Sequence, residues 1–445
     1  MHKTNLKNVH LIGIGGINMS AVAKLLLANN IQVSGSDAVE NEATQELRAR
    51  GVDIQIGADA KHIPANTDLA IYSSAVPQQH VERQAARDRS IKEQTNFEFL
   101  GEWTKDKRAI LVTGTHGKST TTAMLGNILI QGDLDPTVIV GSRVPGFPDQ
   151  NLRLGTSDLY LIEGDEYAKH FLEFTPDAIT INNIELDHTD IFKDLADMVD
   201  TFRQLLRQMK PNGLVVANAD DKNVMQLIQE ERKALLEKGI AIQTFSFTEP
   251  GLPFKLSVPG KINILNASAA ATVASSFGVR QEDIKTALQN FTGIWRRFER
   301  IAEKDGTLII SDYGHHPTAV RETLQAAKDF YPDKRLVLCF QPHHRNRTKE
   351  LFTEFVASFD LADIVLLCEI YDVKGRDAGK DQDMSSRLLV EAVQARDAAS
   401  GNKHLVEFTA SPAESLTRLK QLVQPNDLVL IMSAGDLYTI APQIL

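Results

Sequence analysis

Short apolar runs alternate with helical stretches along almost the whole chain, and this alternation restricts the fold more than any other feature. The first example runs from "VHLIG" through "MSAVAKLLLANN" to "IQVSGSD", which reads as strand, helix and strand. In that helix we expect five side chains to point inward, namely Met19, Val22, Ala23, Leu26 and Leu27. Later runs such as "DLYLIEGDE" and "DLVLIMSAGD" are almost wholly apolar before their polar ends, as in strands buried on both faces. The sequence therefore predicts an α/β protein with mostly parallel sheets covered on both faces.

The length of 445 residues is too great for one ordinary domain. A polar stretch, "EWTKDKR", and the later "RRFERIAEKDG" divide the chain into three segments, 1–107, 108–297 and 298–445. The net charge of -10 argues against a nucleic-acid partner, whose phosphates require a basic surface. No apolar run is long enough to span a membrane, and the first residues do not resemble a signal peptide, so we expect a cytoplasmic protein. Cys339 and Cys368 lie in or beside apolar runs and are expected to be reduced packing residues.

The stretch "LVTGTHGKST" nearly matches the phosphate-binding pattern G-x-x-x-x-G-K-[ST], but Val112 stands where that pattern has its first glycine. It follows an apolar strand and opens a helix, so backbone N–H groups and the helix start would face an anion. Lys118 would reach the terminal phosphates, and Ser119 or Thr120 could supply a hydroxyl to Mg²⁺. The alternative is an ordinary turn with a surface lysine and a capping hydroxyl.

Polar side chains follow the next two predicted strands. Glu163 and Glu166 close "LYLIEGDE", and "NNIELDH" carries Asn183, Asp187 and His188. Carboxyl ends of neighbouring parallel strands meet at the crevice that the phosphate loop would face, which predicts a magnesium site there. The alternative is that these acids only cap their strands.

The loop "TGTHGKSTT" resembles G-T-[HNK]-G-K-[ST]-[ST] of the Mur ligases, ATP-dependent enzymes that add amino acids to the nucleotide precursor of the bacterial cell wall. In that family the loop is shorter, so two glycines suffice and Val112 is a strand residue. The resemblance implies a Rossmann-like UDP-N-acetylmuramate-binding domain over 1–107, a central P-loop ATPase domain over 108–297 and a Rossmann-like carboxyl-terminal domain over 298–445. It implies ATP and Mg²⁺ as cofactors, with Mg²⁺ held by Ser119, Glu163 and His188. The residues implied to bind ATP in this loop are Gly114, Thr115, His116, Gly117, Lys118, Ser119 and Thr120.

Further motifs follow in the family's order. "GKINILNASAA" resembles G-x-H-N-x-x-N-x-x-A, which assigns Asn263 and Asn266 to the adenine, although Ile262 replaces the histidine. "RRFE" supplies Arg297 for an ATP phosphate. "DYGHHPTAV" supplies Asp312 for the ribose, with His315 nearby. Some relatives carry a carbamylated lysine near this place in the chain. This chain offers Arg203 there and not a lysine, so we do not expect that modification.

The first segment contains "GIGGINMS", a glycine-rich turn that also raises the possibility of a nicotinamide-dependent oxidoreductase. Asn18 replaces the third glycine of that fingerprint, and no hydride-transfer site follows. The turn resembles instead the amino-terminal motif of the alanine-adding Mur ligases, which assigns Gly15 and Gly16 to the diphosphate of the UDP-sugar. Ser73 and Ser74 in "YSSAV" resemble the same group's S-S-A-[IV] motif, which contacts the sugar or uracil.

The third segment contains "CFQPHHRNRTKELF", which resembles F-Q-P-H-R-[YF]-[ST]-R-T of the alanine-adding members. His343 and Arg347 align and would orient alanine, whereas His344 occupies the arginine position and Arg345 the aromatic one. "EIYDVKGRD" partly resembles V-Y-x-A-G-E, while "EGDEY" and "DHTDIF" are closer to the relative that attaches a preformed tripeptide.

The resemblance as a whole implies an amide-forming ligase that joins L-alanine to the lactyl carboxylate of UDP-N-acetylmuramate through an acyl phosphate. The implied catalytic residues are Lys118, Glu163, His188, His343 and Arg347. Three alternatives remain, namely the tripeptide ligase, the oxidoreductase and a regulator that binds ATP without turning it over. We expect a monomer or homodimer with no membrane partner.

Overall fold

The computed structural model describes residues 6–188, 191–247, 256–372, 381, 383–401 and 404–445. The chain forms two compact units, Met1–Lys255 with Leu265–Asn290, and Leu256–Ile264 with Phe291–Leu445. The first unit contains two β-sheets and the second contains one. Among the described residues, no helix has the length and apolar character needed to cross a bilayer.

The amino-terminal sheet of the first unit has five parallel strands. The strands are β1 (Asn8–Ile12), β2 (Gln32–Asp37), β3 (Asp53–Ile56), β4 (Leu69–Tyr72) and β5 (Lys92–Thr95). The helices are α1 (Ile17–Ala28), α2 (Glu42–Ala49), α3 (Val81–Asp88) and α4 (Asn96–Thr104), with a 3₁₀ helix over Ala60–His62. In the strand order β3-β2-β1-β4-β5, β2 and β3 lie on one side of β1 and β4 and β5 on the other. The topological switch point of the sheet is therefore at β1. Four of the five side chains predicted to face inward from α1 are buried, and Leu27 is half-buried.

The second sheet of the first unit has seven strands. They are β6 (Arg108–Thr113), β7 (Thr137–Ile139), β8 (Leu152–Arg153), β9 (Leu159–Glu163), β10 (Ala178–Ile181), β11 (Leu214–Asn218) and β12 (Ala241–Phe245). The helices are α5 (Lys118–Gln131), α6 (Leu195–Gln208), α7 (Lys222–Glu237), α8 (Lys261–Ser276, in this unit from Leu265 onward) and α9 (Gln281–Gln289), with a 3₁₀ helix over Tyr167–Glu173. The order β12-β11-β10-β6-β9-β7-β8 puts β6 between β10 and β9. The loop after β6 therefore opens beside the ends of both neighbours, which is where α/β sheets bind ligands.

The sheet of the second unit has six strands. They are β13 (Glu299–Lys304), β14 (Thr307–Asp312), β15 (Leu336–Gln341), β16 (Ile364–Cys368), β17 (Leu405–Thr409) and β18 (Leu428–Ser433). The helices are α10 (Pro317–Phe330), α11 (Arg345–Glu350), α12 (Phe352–Val356), α13 (Ser386–Ser400) and α14 (Pro412–Leu422), with a 3₁₀ helix over Leu437–Gln443. The strand order is β13-β14-β18-β15-β16-β17.

The predicted parallel α/β architecture is confirmed. Antiparallel pairing among the named strands is found at β7 with β8 and at β13 with β14, both at sheet edges. The central strands β6, β10, β15 and β18 are apolar and buried on both faces, because helices cover each side. Cys339 and Cys368 are buried and free, as predicted.

Candidate active site

The loop between β6 and α5 is held in a backbone conformation that needs glycine at two positions. Gly114 has φ +128° and Gly117 has φ +80°. A Cβ at Gly114 would lie 3.0 Å from the backbone nitrogen of Asn183, and one at Gly117 would lie 2.2 Å from Oδ1 of Asn266. Val112 pairs with β9 as an interior strand residue, so the missing glycine of the longer pattern has no role here.

Lys118 begins α5 and its side chain folds back over the loop. Its Nζ donates hydrogen bonds to the carbonyl oxygens of Gly114 at 2.8 Å and Thr115 at 3.0 Å. Nζ also lies 2.9 Å from Oε1 and 2.8 Å from Oε2 of Glu166. The ammonium group therefore faces the space that the loop encloses.

Two carboxylates lie near this lysine, the buried Glu166 and the half-buried Glu163. Glu163, at the end of β9, accepts hydrogen bonds from Ser119 Oγ at 2.7 Å and from the backbone N–H of Gly141 at 2.6 Å. Burial raises the pKa of Glu163 and of Glu166, and the charge of Lys118 opposes both rises. Oε2 of Glu166 is buried without a hydrogen-bond partner despite the nearby ammonium. A second cation in this space would be favoured, because these carboxylates are incompletely compensated.

His188 follows β10 and lies on the other side of Glu166. Its Nε2 is 3.8 Å from Oε1 of Glu166, and its ring contacts the ring of Tyr167 edge-on at 5.0 Å between centroids. The structure thus brings Lys118, Glu166 and His188 together, with the Ser119–Glu163 pair beside them. Thr189 and Asp190 of the "DHTDIF" motif lie outside the described residues.

The rest of the loop is fixed by the residues that follow β10. The backbone N–H of His116 donates to Oδ1 of Asn183 at 2.7 Å, and Nδ2 of Asn183 returns a bond to the carbonyl of His116 at 3.1 Å. Asn182, which the sequence motifs do not single out, donates from Nδ2 to Thr121 Oγ1 at 2.9 Å. Thr115 Oγ1 donates to the carbonyl of Glu185 at 3.0 Å, and Thr120 is buried in the first turn of α5. The doubled asparagine after an apolar strand is the sequence signal that would have pointed to Asn182.

The glycine-rich turn of the first sheet lies between β1 and α1. Gly16 is the N-cap of α1, and the N–H of Gly15 donates to Oδ2 of Asp37 at 2.8 Å. A Cβ at Gly13 would lie 3.1 Å from the Cβ of Ser73, so the turn and the residues after β4 are adjacent. Ser74 follows directly. Asn18 lies in the first turn of α1, a helical position that does not require glycine.

In the second unit, Asp312 ends β14 in a buried position. Its carboxylate accepts hydrogen bonds from the backbone N–H groups of Phe298 at 2.8 Å and Gly314 at 2.7 Å. Burial raises the pKa of Asp312, and the guanidinium of Arg297 opposes the rise. Arg297 lies 5.1 Å from the ring centre of Tyr313. Asn263 donates from Nδ2 to the carbonyl of Pro259 at 2.7 Å.

Arg296 is a buried residue that the sequence motifs do not assign. Its guanidinium lies 4.7 Å from the ring centre of Tyr313 and 4.3 Å from that of Tyr438. It also donates to the carbonyl of Ser433, and to that of Gly435 at 3.2 Å. These contacts tie the segment before β13 to the ends of β14 and β18.

His315 and His343 lie together near Arg347. Their ring centroids are 6.0 Å apart, and the ring of His343 stacks on Tyr371 at 5.6 Å. Burial lowers the pKa of each histidine to about 4, and the positive charge of Arg347 contributes to both shifts. Arg347 lines an open depression of about 450 Å³ together with His316, His344, Asn346, Glu350 and Leu351. Residues 373–377 of the "EIYDVKGRD" motif lie outside the described residues.

Three family descriptions match successive parts of the chain. They are "Mur ligase family, catalytic domain" at residues 8–108, "Mur ligase middle domain" at 112–274 and "Mur ligase, glutamate ligase domain" at 296–435. The chain belongs to the Mur ligase family. Mur ligases form amide bonds at the expense of ATP, so this chain is an ATP-dependent amide-forming ligase, and the oxidoreductase and regulator alternatives are wrong.

Similar Mur ligases span the full length of the chain. UDP-N-acetylmuramate--L-alanine ligase of Clostridium kluyveri is 36% identical, with 98% of this chain and 97% of that protein covered. The crystal structure of UDP-N-acetylmuramate-alanine ligase from Thermotoga maritima matches with a TM-score of 0.79 and 26% identity, covering 98% of each chain. A murein peptide ligase from Psychrobacter arcticus matches with a TM-score of 0.65 and 24% identity, again over 98% of each chain, and shows a shared fold.

The part of the chain that the structure describes contains no preassembled cluster of metal-ligating side chains. Among the described residues, no three His, Cys, Asp or Glu side chains are grouped as metal ligands. Mg²⁺ commonly takes only one or two protein carboxylates and completes its shell with water and phosphate oxygens. The geometry around Glu163 and Glu166 is compatible with that mode of binding.

Proposed function

We propose that this Mur ligase joins L-alanine to the lactyl carboxylate of UDP-N-acetylmuramate, releasing ADP and phosphate. The proposal is supported by full-length relatives named for this reaction and by one structural observation. That observation is the ammonium of Lys118, held over the phosphate loop by two carbonyl oxygens and the buried Glu166. A positive charge at the start of a helix, facing a glycine-bearing loop, suits the terminal phosphates of ATP.

The proposed reaction has two steps. An oxygen of the lactyl carboxylate attacks the γ-phosphorus of ATP, and the bond from this phosphorus to the β,γ-bridging oxygen breaks, so that an acyl phosphate and ADP form. The amine of L-alanine then attacks the acyl carbon, phosphate leaves with the bonding electron pair, and the nitrogen loses a proton. Lys118 offsets the negative charge on the transferring phosphoryl group. Activation is needed because a free carboxylate is a poor electrophile.

Mg²⁺ is part of this proposal, and the residues present fit it. Hydroxyl and carboxylate oxygens are the ligands this ion prefers, and Oε2 of Glu166 is buried without a hydrogen bond. Ser119, Glu163 and His188 would hold the ion, with Glu166 adjacent. When bound, Mg²⁺ would neutralise charge on the phosphate oxygens.

The other substrate residues are assigned within each unit. The turn at Gly15 and Gly16, next to Ser73 and Ser74, would hold the UDP-sugar. His343 and Arg347 would orient L-alanine. A histidine with a pKa of about 4 is neutral near pH 7 and too weak a base to hold a proton from the ammonium of alanine, so His343 would orient the amine and not deprotonate it. The assignment to ATP remains a prediction for four residues, namely Asn263, Arg297, Asp312 and His315.

The tripeptide-adding activity is the second candidate, favoured by the "EGDEY" motif that places Glu166 and Tyr167 beside Lys118 and His188. Phosphate release should be measured with UDP-N-acetylmuramate and each of four acceptors, namely L-alanine, glycine, L-serine and the tripeptide. We expect the highest kcat/KM with L-alanine. A preference for the tripeptide would support the second candidate, and no activity with any acceptor would overturn the assignment of substrates.

The role of Lys118 is tested with K118M. We expect kcat to fall on the order of 10³-fold, because the charge that offsets the phosphoryl group is lost. The matched control is K222M, since Lys222 also begins a helix that follows a strand of the same sheet. It should retain wild-type kcat. If K118M kept most of the wild-type kcat, the proposed centre would be wrong.

A further inference from the structure

The serine turn, residues 73–76, follows β4, and backbone hydrogen bonds define its shape. The N–H of Ser73 donates to the carbonyl of Ile12 in the neighbouring strand at 3.0 Å, and the N–H of Val76 donates to the carbonyl of Ser73 at 2.8 Å. A Cβ on Gly13 would lie 3.1 Å from the Cβ of Ser73 and 3.4 Å from Cγ2 of Val76. Both ends of the serine turn therefore lie against the glycine-rich turn that follows β1.

Arg83 of α3 contacts the residues at both ends of the serine turn. Its Nη1 donates to the carbonyl of Val76, the last residue of the turn, at 3.0 Å. Its guanidinium carbon lies 3.5 Å from the ring centre of Tyr72, which directly precedes the turn. Nη2 and Nε donate to the carboxylate of Glu93 in β5 at 2.9 and 3.4 Å. The guanidinium, whose side chain is 10% exposed, therefore joins the turn to β5.

The carboxylate of Glu93 keeps this arginine in place. Burial alone would raise the pKa of Glu93, but the hydrogen bonds and charges of Arg83 and Arg87 outweigh it, and the pKa lies below its ordinary value. Because Glu93 is therefore ionised near neutral pH, it holds Arg83 by charge and by two hydrogen bonds. The contact with Val76 is fixed in turn. A turn that is ordered in advance costs less conformational entropy when a substrate binds to it.

We infer that Arg83 is a positioning residue for the UDP-sugar, which holds the serine turn against the glycine-rich turn. In this arrangement Ser73 and Ser74 face the same substrate as Gly15 and Gly16. Each of the three guanidinium nitrogens already donates to a protein oxygen, so Arg83 acts through the turn and not by contact with the substrate. The inference rests on the proposed function, because it concerns the UDP-sugar of that reaction.

The test measures the dissociation constant of UDP-N-acetylmuramate by isothermal titration calorimetry, without ATP or acceptor, in the full-length protein. We expect R83M to bind roughly 10-fold more weakly, because the carbonyl of Val76 loses a charge-assisted hydrogen bond and the substrate must then order the turn. R83K keeps the charge beside Glu93 but lacks the planar group that lies on Tyr72. It should bind with intermediate affinity, and it replaces R83M in every comparison if that variant does not fold.

A double-mutant cycle shows whether Arg83 acts through the serine turn. S74A removes a hydroxyl that is assigned to the UDP-sugar, so it should weaken binding by itself. If Arg83 positions Ser74, the displaced hydroxyl contributes little in R83M. The loss of affinity in R83M/S74A should therefore be smaller than the product of the two single losses. A loss equal to that product would contradict the inference.

Two other arginines of the same sheet layer provide matched controls. Arg87, also in α3, donates to Glu93 at 3.0 Å and to the carbonyl of Gln78 at 2.6 Å, which lies beyond the serine turn. Arg89 follows α3 and donates to two backbone carbonyls between β3 and β4 at 2.9 and 3.1 Å. R87M and R89M should lower Tm, as R83M does, but keep the dissociation constant within about threefold of wild type. These controls separate loss of stability, and loss of a partner for Glu93, from loss of the contact with Val76.

Wild-type affinity in R83M would overturn the inference, and so would an equal loss of affinity in R87M at a temperature where both variants are folded. Failure of the proposed function gives a different result. If the enzyme uses an acceptor other than L-alanine, the affinity for UDP-N-acetylmuramate still reports on Arg83, since no acceptor is present in the titration. Wild-type protein that does not bind this nucleotide would overturn the proposed function and the inference together.

Discussion

Glu82 is a carboxylate whose side chain is completely buried in the first sheet layer. Its Oε2 lies 3.1 Å from Nε2 of His10 and accepts a 2.5 Å hydrogen bond from Ser36, and its Oε1 lies 3.2 Å from Nδ1 of His62. Burial by itself opposes ionisation, but the hydrogen bonds from His10 and Ser36 outweigh it, and the pKa of Glu82 lies below its ordinary value. A buried charge is tolerated here because it is fully hydrogen-bonded.

This lowered pKa predicts the pH dependence of stability. Because Glu82 binds its proton less tightly when folded, its network stabilises the protein above the ordinary pKa of 4.5 and loses this contribution as the pH falls through the lowered value. We expect E82Q to cost about 2 kcal/mol near pH 7, measured by thermal unfolding. The difference in Tm between wild type and E82Q should shrink as the pH is lowered below 4.5.

The exposed Glu237 provides the control, since its ion pair with Lys233 is long at 3.9 Å. E237Q should change neither Tm near pH 7 nor the acid dependence. An E82Q difference that stays constant from neutral to acid pH would show that the carboxylate contributes through packing and not through its charge.

Local patterns in the sequence predict which residues belong to the loop but not which partners their side chains take. Lys118 and Ser119 were identified from the loop pattern, and the structure places both at the predicted position. The sequence assigns Glu163 to the metal, whereas the acid in contact with Lys118 is Glu166. Two acids three residues apart give no local signal that decides which one turns toward the lysine. The direction of Glu163 is set by β9, and that of Glu166 by the start of the 3₁₀ helix.

At the scale of elements, α4 and the 3₁₀ helix Tyr167–Glu173 approach each other very closely. A Cβ at Gly101 in α4 would lie 2.1 Å from the carbonyl oxygen of Glu173. This 3₁₀ helix directly follows Glu166 and carries Tyr167, whose ring contacts His188. The absence of a side chain at position 101 therefore sets where the helix beside the candidate site can lie.

G101A should destabilise the protein by about 2–3 kcal/mol, since the methyl group meets backbone and not a movable side chain. It should also lower kcat, because the 3₁₀ helix must shift. G126A is the matched control, for Gly126 is also helical but its added Cβ would meet side chains of Val138 and Phe147 at 3.2–3.4 Å. Its gain in helix propensity, up to about 1 kcal/mol, should offset much of that crowding. Equal losses of Tm in both variants would contradict the argument.

The mostly parallel direction of the strands could be predicted from the alternation of apolar and helical segments, but strand ends could not. The pattern of apolar residues in "DAITINNI" continues to Ile184, yet β10 ends at Ile181. The reason is that Asn182 and Asn183 use their side chains to bind Thr121 and the backbone of His116. The sequence does not distinguish a polar residue whose side chain hydrogen-bonds a loop from one that simply follows the end of a strand.

At the scale of the first unit, Lys24 connects α1 to the segment after β7. Nζ of Lys24 donates to Oε2 of Glu46 at 2.9 Å, to the carbonyl of Asp149 at 3.0 Å and to Oδ1 of Asn151 at 3.4 Å. Asn151 in turn donates from Nδ2 to the carbonyl of Ile17. The two sheets of this unit are thus linked by buried polar contacts as well as by apolar packing.

Such contacts lie beyond what local sequence patterns can predict. Lys24 interrupts an apolar helical stretch and looks like a solvated position, yet its side chain is only 2% exposed. Its partner Asp149 is 125 residues away along the chain. Hydrophobic periodicity indicates which face of a helix is apolar. It gives no information about hydrogen-bond acceptors in a distant segment that allow a lysine to be buried.

This link predicts how the first unit unfolds. K24M removes the donor for Glu46 and the carbonyl of Asp149, and we expect a loss of about 2–3 kcal/mol. Because the lost contacts join the two sheets, differential scanning calorimetry should show the unfolding of the first unit separating into two transitions. The control is K210M, since Lys210 also binds a carboxylate, that of Asp177 at 3.0 Å, but within the second sheet layer. K210M should lower Tm without separating the transitions. A single transition in K24M would mean that the remaining contacts, which include the Arg50–Asp149 and Arg143–Glu42 ion pairs and the apolar packing, are enough to couple the two sheets.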